Sequence, residues 1–159
     1  MNNTWKEEYP DFTPHFTPAD IFKLGSFGGA YFDASVEKNW KKFVPAKFVS
    51  EFSSEEIDER LTRESFNLET SKYGVNCGSS YEDWMKSGWI KPQDPFGWVN
   101  WYINFYYGRR SDDDSRQVSR WKAFIPRHTG ILRAHPQSLK TKQNMLHWAV
   151  DYKKIKQSS

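Results

Sequence analysis

Five arginines fall within residues 109–127: Arg109, Arg110, Arg116, Arg120 and Arg127. A guanidinium donates two parallel N–H bonds to one phosphate and also stacks flat on a ring. Arginine interleaved with Tyr and Trp is therefore the usual chemistry of nucleic-acid or nucleotide contact. The rings are close at hand, with Trp98, Trp101, Tyr102 and Tyr107 just before the cluster and Trp121 inside it. A structural reading competes at each position. Arg109 or Arg110 can pair with Asp112–Asp114, or cap the carboxyl end of the preceding helix, where positive charge is favourable.

A second set of candidates is polar and sparse. Gln117 and His128 share a helical face with Trp121 and Phe124, so both are expected to be at least partly buried and hydrogen-bonded, since a buried polar group without a partner costs about 1–3 kcal/mol. With Tyr102 and Arg109 they outline a candidate pocket for a nucleotide or another small anion. No catalytic residue stands out. His15, His128, His135 and His147 lack the spacing of a helical metal site, and no Gly-x-Ser-x-Gly elbow is present. No metal and no cofactor are expected. Cys77 stands alone and reads as a packed thiol. Asp112, Asp113 and Asp114 read as a helix cap in preference to a cation site.

The elements that must position these groups are mostly helical. Residues 96–107 are almost all large and apolar or aromatic, which predicts a central, enclosed helix over about 95–107, with Asp94 as N-cap, Pro95 first and Gly108 closing it in a left-handed conformation. Only Asn100 and Asn104 break its apolar surface, four apart on one face. Periodicity predicts a second helix from Asp112–Asp114 to His128, with Gln117, Trp121, Phe124 and His128 inward and Arg116, Arg120 and Arg127 in a narrow arc on the opposite side. Gly130–His135 reads as a turn. Ser138 then caps a helix running to Tyr152. Upstream, Thr17 and Pro18 open a short helix that Gly25 closes, Gly28 and Gly29 form a tight turn, and Ser53 with Glu56 has capping-box spacing. A small helix is expected over Ser80–Ser87. Short β pairings are allowed within residues 26–76. The fold class is thus mainly α, one domain over residues 1–159, with an extended arm at 1–16 and a frayed tail at 153–159.

Charge is distributed unevenly. Residues 109–159 hold twelve Lys and Arg against four Asp, or +8, whereas residues 1–108 hold eleven basic and sixteen acidic residues, or −5. That layout suggests an anionic partner. With 18% aromatic residues and eight Trp, the core is expected to be built from rings. A single cysteine permits no intramolecular disulfide and fits a reducing, cytoplasmic setting, and no apolar run is long enough to span a membrane.

The string Asp94-Pro-x-Gly-Trp98, Trp101-Tyr102, Gly108-Arg-Arg110, Arg116-Gln117 and Arg120-Trp121, with Gly25-x-Phe-Gly-Gly-x-Tyr31 and Gly88-Trp-Ile90 upstream, resembles a family of small proteins of unassigned function. The resemblance covers residues 17 to about 152 and implies one intact domain. It implies no activity. A basic residue is common in that pattern where this chain has Phe96 and Ala30, so two anion contacts are missing here. The expected function is a nucleic-acid-associated binding module acting through the basic C-terminal third. A small enzyme with a nucleotide or small-anion pocket, and a protein-interaction adaptor using exposed Trp or Phe, are the alternatives.

Overall fold

In the helix Trp98–Tyr106 every side chain except Asn104 is buried. The computed structural model describes residues 4–27, 31–32, 40–62, 73, 93–94 and 96–154. Along them run α1 (Pro18–Lys23), α2 (Ala46–Val49), α3 (Ser54–Glu56, continued by a π turn over Ile57–Leu61), α4 (Trp98–Tyr106), α5 (Asp114–Ala134) and α6 (Leu139–His147), with 3-10 turns at Thr4–Lys6, Trp40–Phe43 and Tyr152–Lys154. The described residues contain no β-strand, and the fold is mainly helical. The expected helix at Ser80–Ser87, the Gly28-Gly29 turn and Cys77 lie outside the described residues.

Local signals account for most boundaries. Thr17 and Asp20 form a reciprocal capping box with Pro18 in the first turn, and Gly25 leaves the helix at φ 78°. Ser53 and Glu56 form a second such box. At the end of α4 the Gly108 N–H donates to the Phe105 carbonyl and the Arg109 N–H to the Asn104 carbonyl, each 3.0 Å long. This paired closure needs a left-handed residue, and Gly108 sits at φ 112°.

The start of α4 differs from the expectation. The helix begins at Trp98, after Gly97 at φ 93°, and Asp94 does not cap it. Asp94 is instead held by Arg109, with Nη1 to Oδ1 at 2.8 Å and Nη2 to Oδ2 at 2.6 Å. A two-point ionic bond outcompetes a single capping bond for the same carboxylate. The acidic triplet likewise makes no side-chain cap on α5. Asp114 accepts from the Ser111 N–H at 2.9 Å and from Trp101 Nε1 at 2.8 Å, which pins the second helix to the first.

The third difference is length. α5 continues through Pro126 and past His128 to Ala134. Leu132 and Thr129 extend its buried face, so packing carries the helix across Gly130, where the sequence suggested a turn. α6 conversely stops at His147, short of Tyr152, because Ala149 adopts φ 62°.

The core is made of rings. Phe12, from the N-terminal segment, lies within 5.1–6.2 Å of Trp98, Trp101, Tyr102, Phe105 and Trp121. Each such pair contributes about 0.5–1.5 kcal/mol beyond its burial. That segment is less extended than expected: Trp5 stands on a 3-10 turn, is buried, and donates Nε1 to the Phe12 carbonyl at 3.2 Å.

Candidate nucleic-acid interface

The five arginines fall into two groups. Arg109 is bound to the buried Asp94, and Arg110 reaches Glu8 at 3.3 Å, donates Nη1 to the Phe105 and Arg109 carbonyls and lies 4.2 Å from the Phe105 ring centre. Arg116 grips Asp113 through Nε at 2.5 Å and Nη2 at 3.1 Å. These three clamp the ends of α4 and the start of α5. Arg120 and Arg127 pair with no carboxylate among the described residues; Arg120 is half-buried and Arg127 is exposed.

Helical geometry explains why Arg116 and Arg120 are not fully exposed. At about 100° per residue, Arg116, Arg120 and Arg127 do share an arc of about 40°, but that arc sits only about 110° from the middle of the buried face. It is a flank and not the far side. The crest farthest from the core carries Ser119, Ala123, Pro126 and Gly130, all exposed, and a Cβ added at Gly130 would meet nothing within 4 Å.

Further positive charge lies along α5 and α6. From residue 115 to residue 150 the chain has seven Lys and Arg and no Asp or Glu. Of these, Arg127, Arg133 and Lys140 are exposed, Lys122 lies 3.5 Å from Asp11, and Lys142 is half-buried with Nζ 4.7 Å from the Tyr152 ring centre. Arg133 and Lys140 lie outside the aromatic–arginine cluster; the acid-free run from residue 115 to residue 150 is the sequence signal that marks them.

Two of the candidate pocket residues, Tyr102 and His128, stand at the two ends of one column of packed rings. Centroids step from Tyr102 to Trp98 at 5.2 Å, to Trp148 at 4.8 Å, to Phe124 at 5.0 Å and to His128 at 3.8 Å. Tyr102 is sealed beneath the N-terminal segment, where its hydroxyl donates to the Phe16 carbonyl at 2.6 Å and burial pushes its pKa well up. His128 sets Nδ1 against the Phe124 carbonyl at 3.2 Å and Nε2 against Asn144 Nδ2 at 3.1 Å. That pattern fits a neutral ring, protonated on Nδ1, and burial lowers its pKa accordingly. It ties α5 to α6. Gln117 is buried, donates Nε2 to Asp113 Oδ2 at 3.0 Å and accepts from Arg120 Nη1 at 2.9 Å. Both Gln117 and His128 are thus buried at least in part and hydrogen-bonded, each as a separate internal fastener.

The asparagine pair on α4 is also internal. Asn100 and Asn104 both donate Nδ2 to the Phe43 carbonyl, at 3.0 and 2.7 Å, and Asn104 adds a bond to Asp94 at 3.0 Å.

Two further polar groups on α6 escaped the sequence reading. Gln143 and His147, one turn apart, reach the carbonyls of the Gly25-Ser26 turn; Gln143 Nε2 donates to Gly25 at 3.3 Å and more closely to Ser26, and His147 Nε2 bonds to Ser26 at 2.9 Å. The His147 ring stacks on Phe27 at 4.4 Å, and burial lowers its pKa to about 4. Their spacing of four, which sets both on one face of α6, was the visible sign.

Among the described residues no group of three His, Cys, Asp or Glu side chains is placed to hold a metal ion, and no helix is long and apolar enough to cross a membrane. The exposed large apolar side chains there are Ile131 and Leu139, with no Trp or Phe among them. No family model, curated protein or solved structure matches the chain.

Proposed function

We propose that this protein is a nucleic-acid-associated binding module that holds phosphates on the α5–α6 hairpin. The observation that carries the reading is the run of residues 115–150, with seven cations and no carboxylate side chain, from which Arg127, Arg133 and Lys140 project into solvent. Phosphate contact through exposed Lys and Arg supplies most sequence-independent affinity. The interface is therefore centred later in the chain than the aromatic–arginine junction, whose Arg109, Arg110 and Arg116 serve the fold.

A binding role is favoured over an enzyme because the two histidines that a pocket would use are occupied. His128 fastens α5 to α6, and His147 fastens α6 to the Gly25-Ser26 turn. The test is fluorescence anisotropy with labelled single-stranded and duplex oligonucleotides at low salt. Wild-type protein should bind both without strong sequence preference. The combined substitution Arg127→Gln, Arg133→Gln and Lys140→Gln should weaken binding by about tenfold or more with an unchanged thermal midpoint, because exposed charges contribute little to stability. Absence of wild-type binding at low salt, or equal binding by the triple variant, contradicts the proposal.

A further inference from the structure

The two arginines at the start of α5 differ in one respect. Arg116 presents Nε and Nη2 as parallel donors, and Asp113 fills them with its two carboxylate oxygens at 2.5 and 3.1 Å. One turn later Arg120 is held by its other corner. Its Nη1 donates to Gln117 Oε1 at 2.9 Å, and its guanidinium carbon lies 5.4 Å from the Trp148 ring centre. The Gln117 oxygen faces Arg120 because the amide nitrogen is anchored on Asp113 at 3.0 Å. Asp113 is meanwhile neutralised by Arg116. Arg120 therefore keeps a full positive charge in a half-buried position, fixed at one corner and against one ring.

The Nε–Nη2 edge of Arg120 has no carboxylate among the described residues. Arg120 as a whole is half-buried, so part of the residue stays in contact with solvent. Such an edge is the two-point clamp that fits a phosphate or carboxylate. Half-burial lowers the Arg120 pKa, but a guanidinium stays charged in proteins, so the cost of its burial is relieved by an incoming anion. Arg127 follows on the same flank, adding field without occupying the edge.

We infer that the Nε–Nη2 edge of Arg120, set by Gln117 and backed by Trp148, is a seat for a single phosphate group. A free phosphate monoester and a phosphate of a nucleic-acid chain share this chemistry. The seat does not depend on the extended interface proposed above, since one phosphate fills it.

Isothermal titration of the whole protein at low salt with uridine 5′-monophosphate, uridine and inorganic phosphate tests the seat. The monophosphate should bind saturably and uridine should not; inorganic phosphate should compete if the group alone is recognised, and a 5′-phosphorylated oligonucleotide should compete better than its unphosphorylated form if a chain end is. Arg120→Gln should weaken monophosphate binding by about tenfold or more, the effect of losing charge-assisted hydrogen bonds, and Arg120→Lys should restore it only in part. The triple variant at Arg127, Arg133 and Lys140 should bind the monophosphate nearly as wild type, which separates failure of the seat from failure of the interface. Should Arg120→Gln unfold, the Nε–H proton resonance of Arg120 in the wild type supplies the second reading, and it should shift with added monophosphate. No saturable binding by the wild type, equal binding by a folded Arg120→Gln, or an unmoved Nε–H resonance overturns the inference.

Discussion

Asp94 is nearly inaccessible and holds Arg109 by two bonds and Asn104 by a third, so removing its cation leaves a buried carboxylate poorly compensated. Arg109→Ala should cost about 3 kcal/mol in urea unfolding, a loss comparable to breaking other buried pairs. A value below about 1 kcal/mol, the range of surface pairs, would show that the bridge is not a main fastener of α4. His147 supplies a pH test. Its pKa falls from 6.5 to about 4 in the folded protein through burial, so the native state disfavours the proton and the unfolded chain accepts it. The stability contributed by a neutral His147 is fully present above pH 6.5 and is lost as pH falls towards 4. At 1.36 kcal/mol per unit this amounts to about 3 kcal/mol across the window. Urea midpoints at a series of pH values should decline over that range, and His147→Gln should flatten the decline.

At the scale of elements, α5 carries a defect that packing overrides. Pro126 lies on the exposed crest in mid-helix, where it removes one backbone bond and crowds the Lys122 carbonyl. Pro126→Ala should therefore raise stability, by about 1–3 kcal/mol, read as a higher thermal midpoint; a lower midpoint would mean that Pro126 is no defect in this helix. The same helix shows what could be read in advance. The Ser53–Glu56 capping box, the Thr17 and Ser138 caps, the left-handed Gly108 and the inward face of Gln117, Trp121 and Phe124 followed from residue types at fixed spacing. The start of α4 did not. Asp94 is a good cap by composition, and only its distant pairing with Arg109, fifteen residues on, decides otherwise. The continuation of α5 through Gly130 was equally hidden, since it depends on tertiary contacts of Thr129 and Leu132 that no local pattern records. Arg116, Arg120 and Arg127 share the expected narrow arc, with Arg127 exposed and Arg116 and Arg120 half-buried, because the arc lies towards a flank, a rotation that periodicity alone measures poorly.

Across the whole molecule, the acidic and basic residues divide by position in the chain. The carboxylates at Glu8, Asp94 and Asp113 neutralise arginines at the junction of α4 and α5, while Arg127, Arg133 and Lys140 stand exposed farther along α5 and α6. The most direct measurement of this division is the dependence of oligonucleotide affinity on salt. Counterion release gives a slope of log affinity on log salt of about −0.9 per duplex phosphate contact and about −0.7 per single-strand contact. Loss of three exposed cations, Arg127, Arg133 and Lys140, should flatten the wild-type slope by about 2 to 3, whereas Arg116→Gln, which breaks an internal pair, should leave the slope unchanged and lower stability instead. A wild-type slope near zero, or a slope that responds to Arg116 and not to the hairpin cations, would contradict the account.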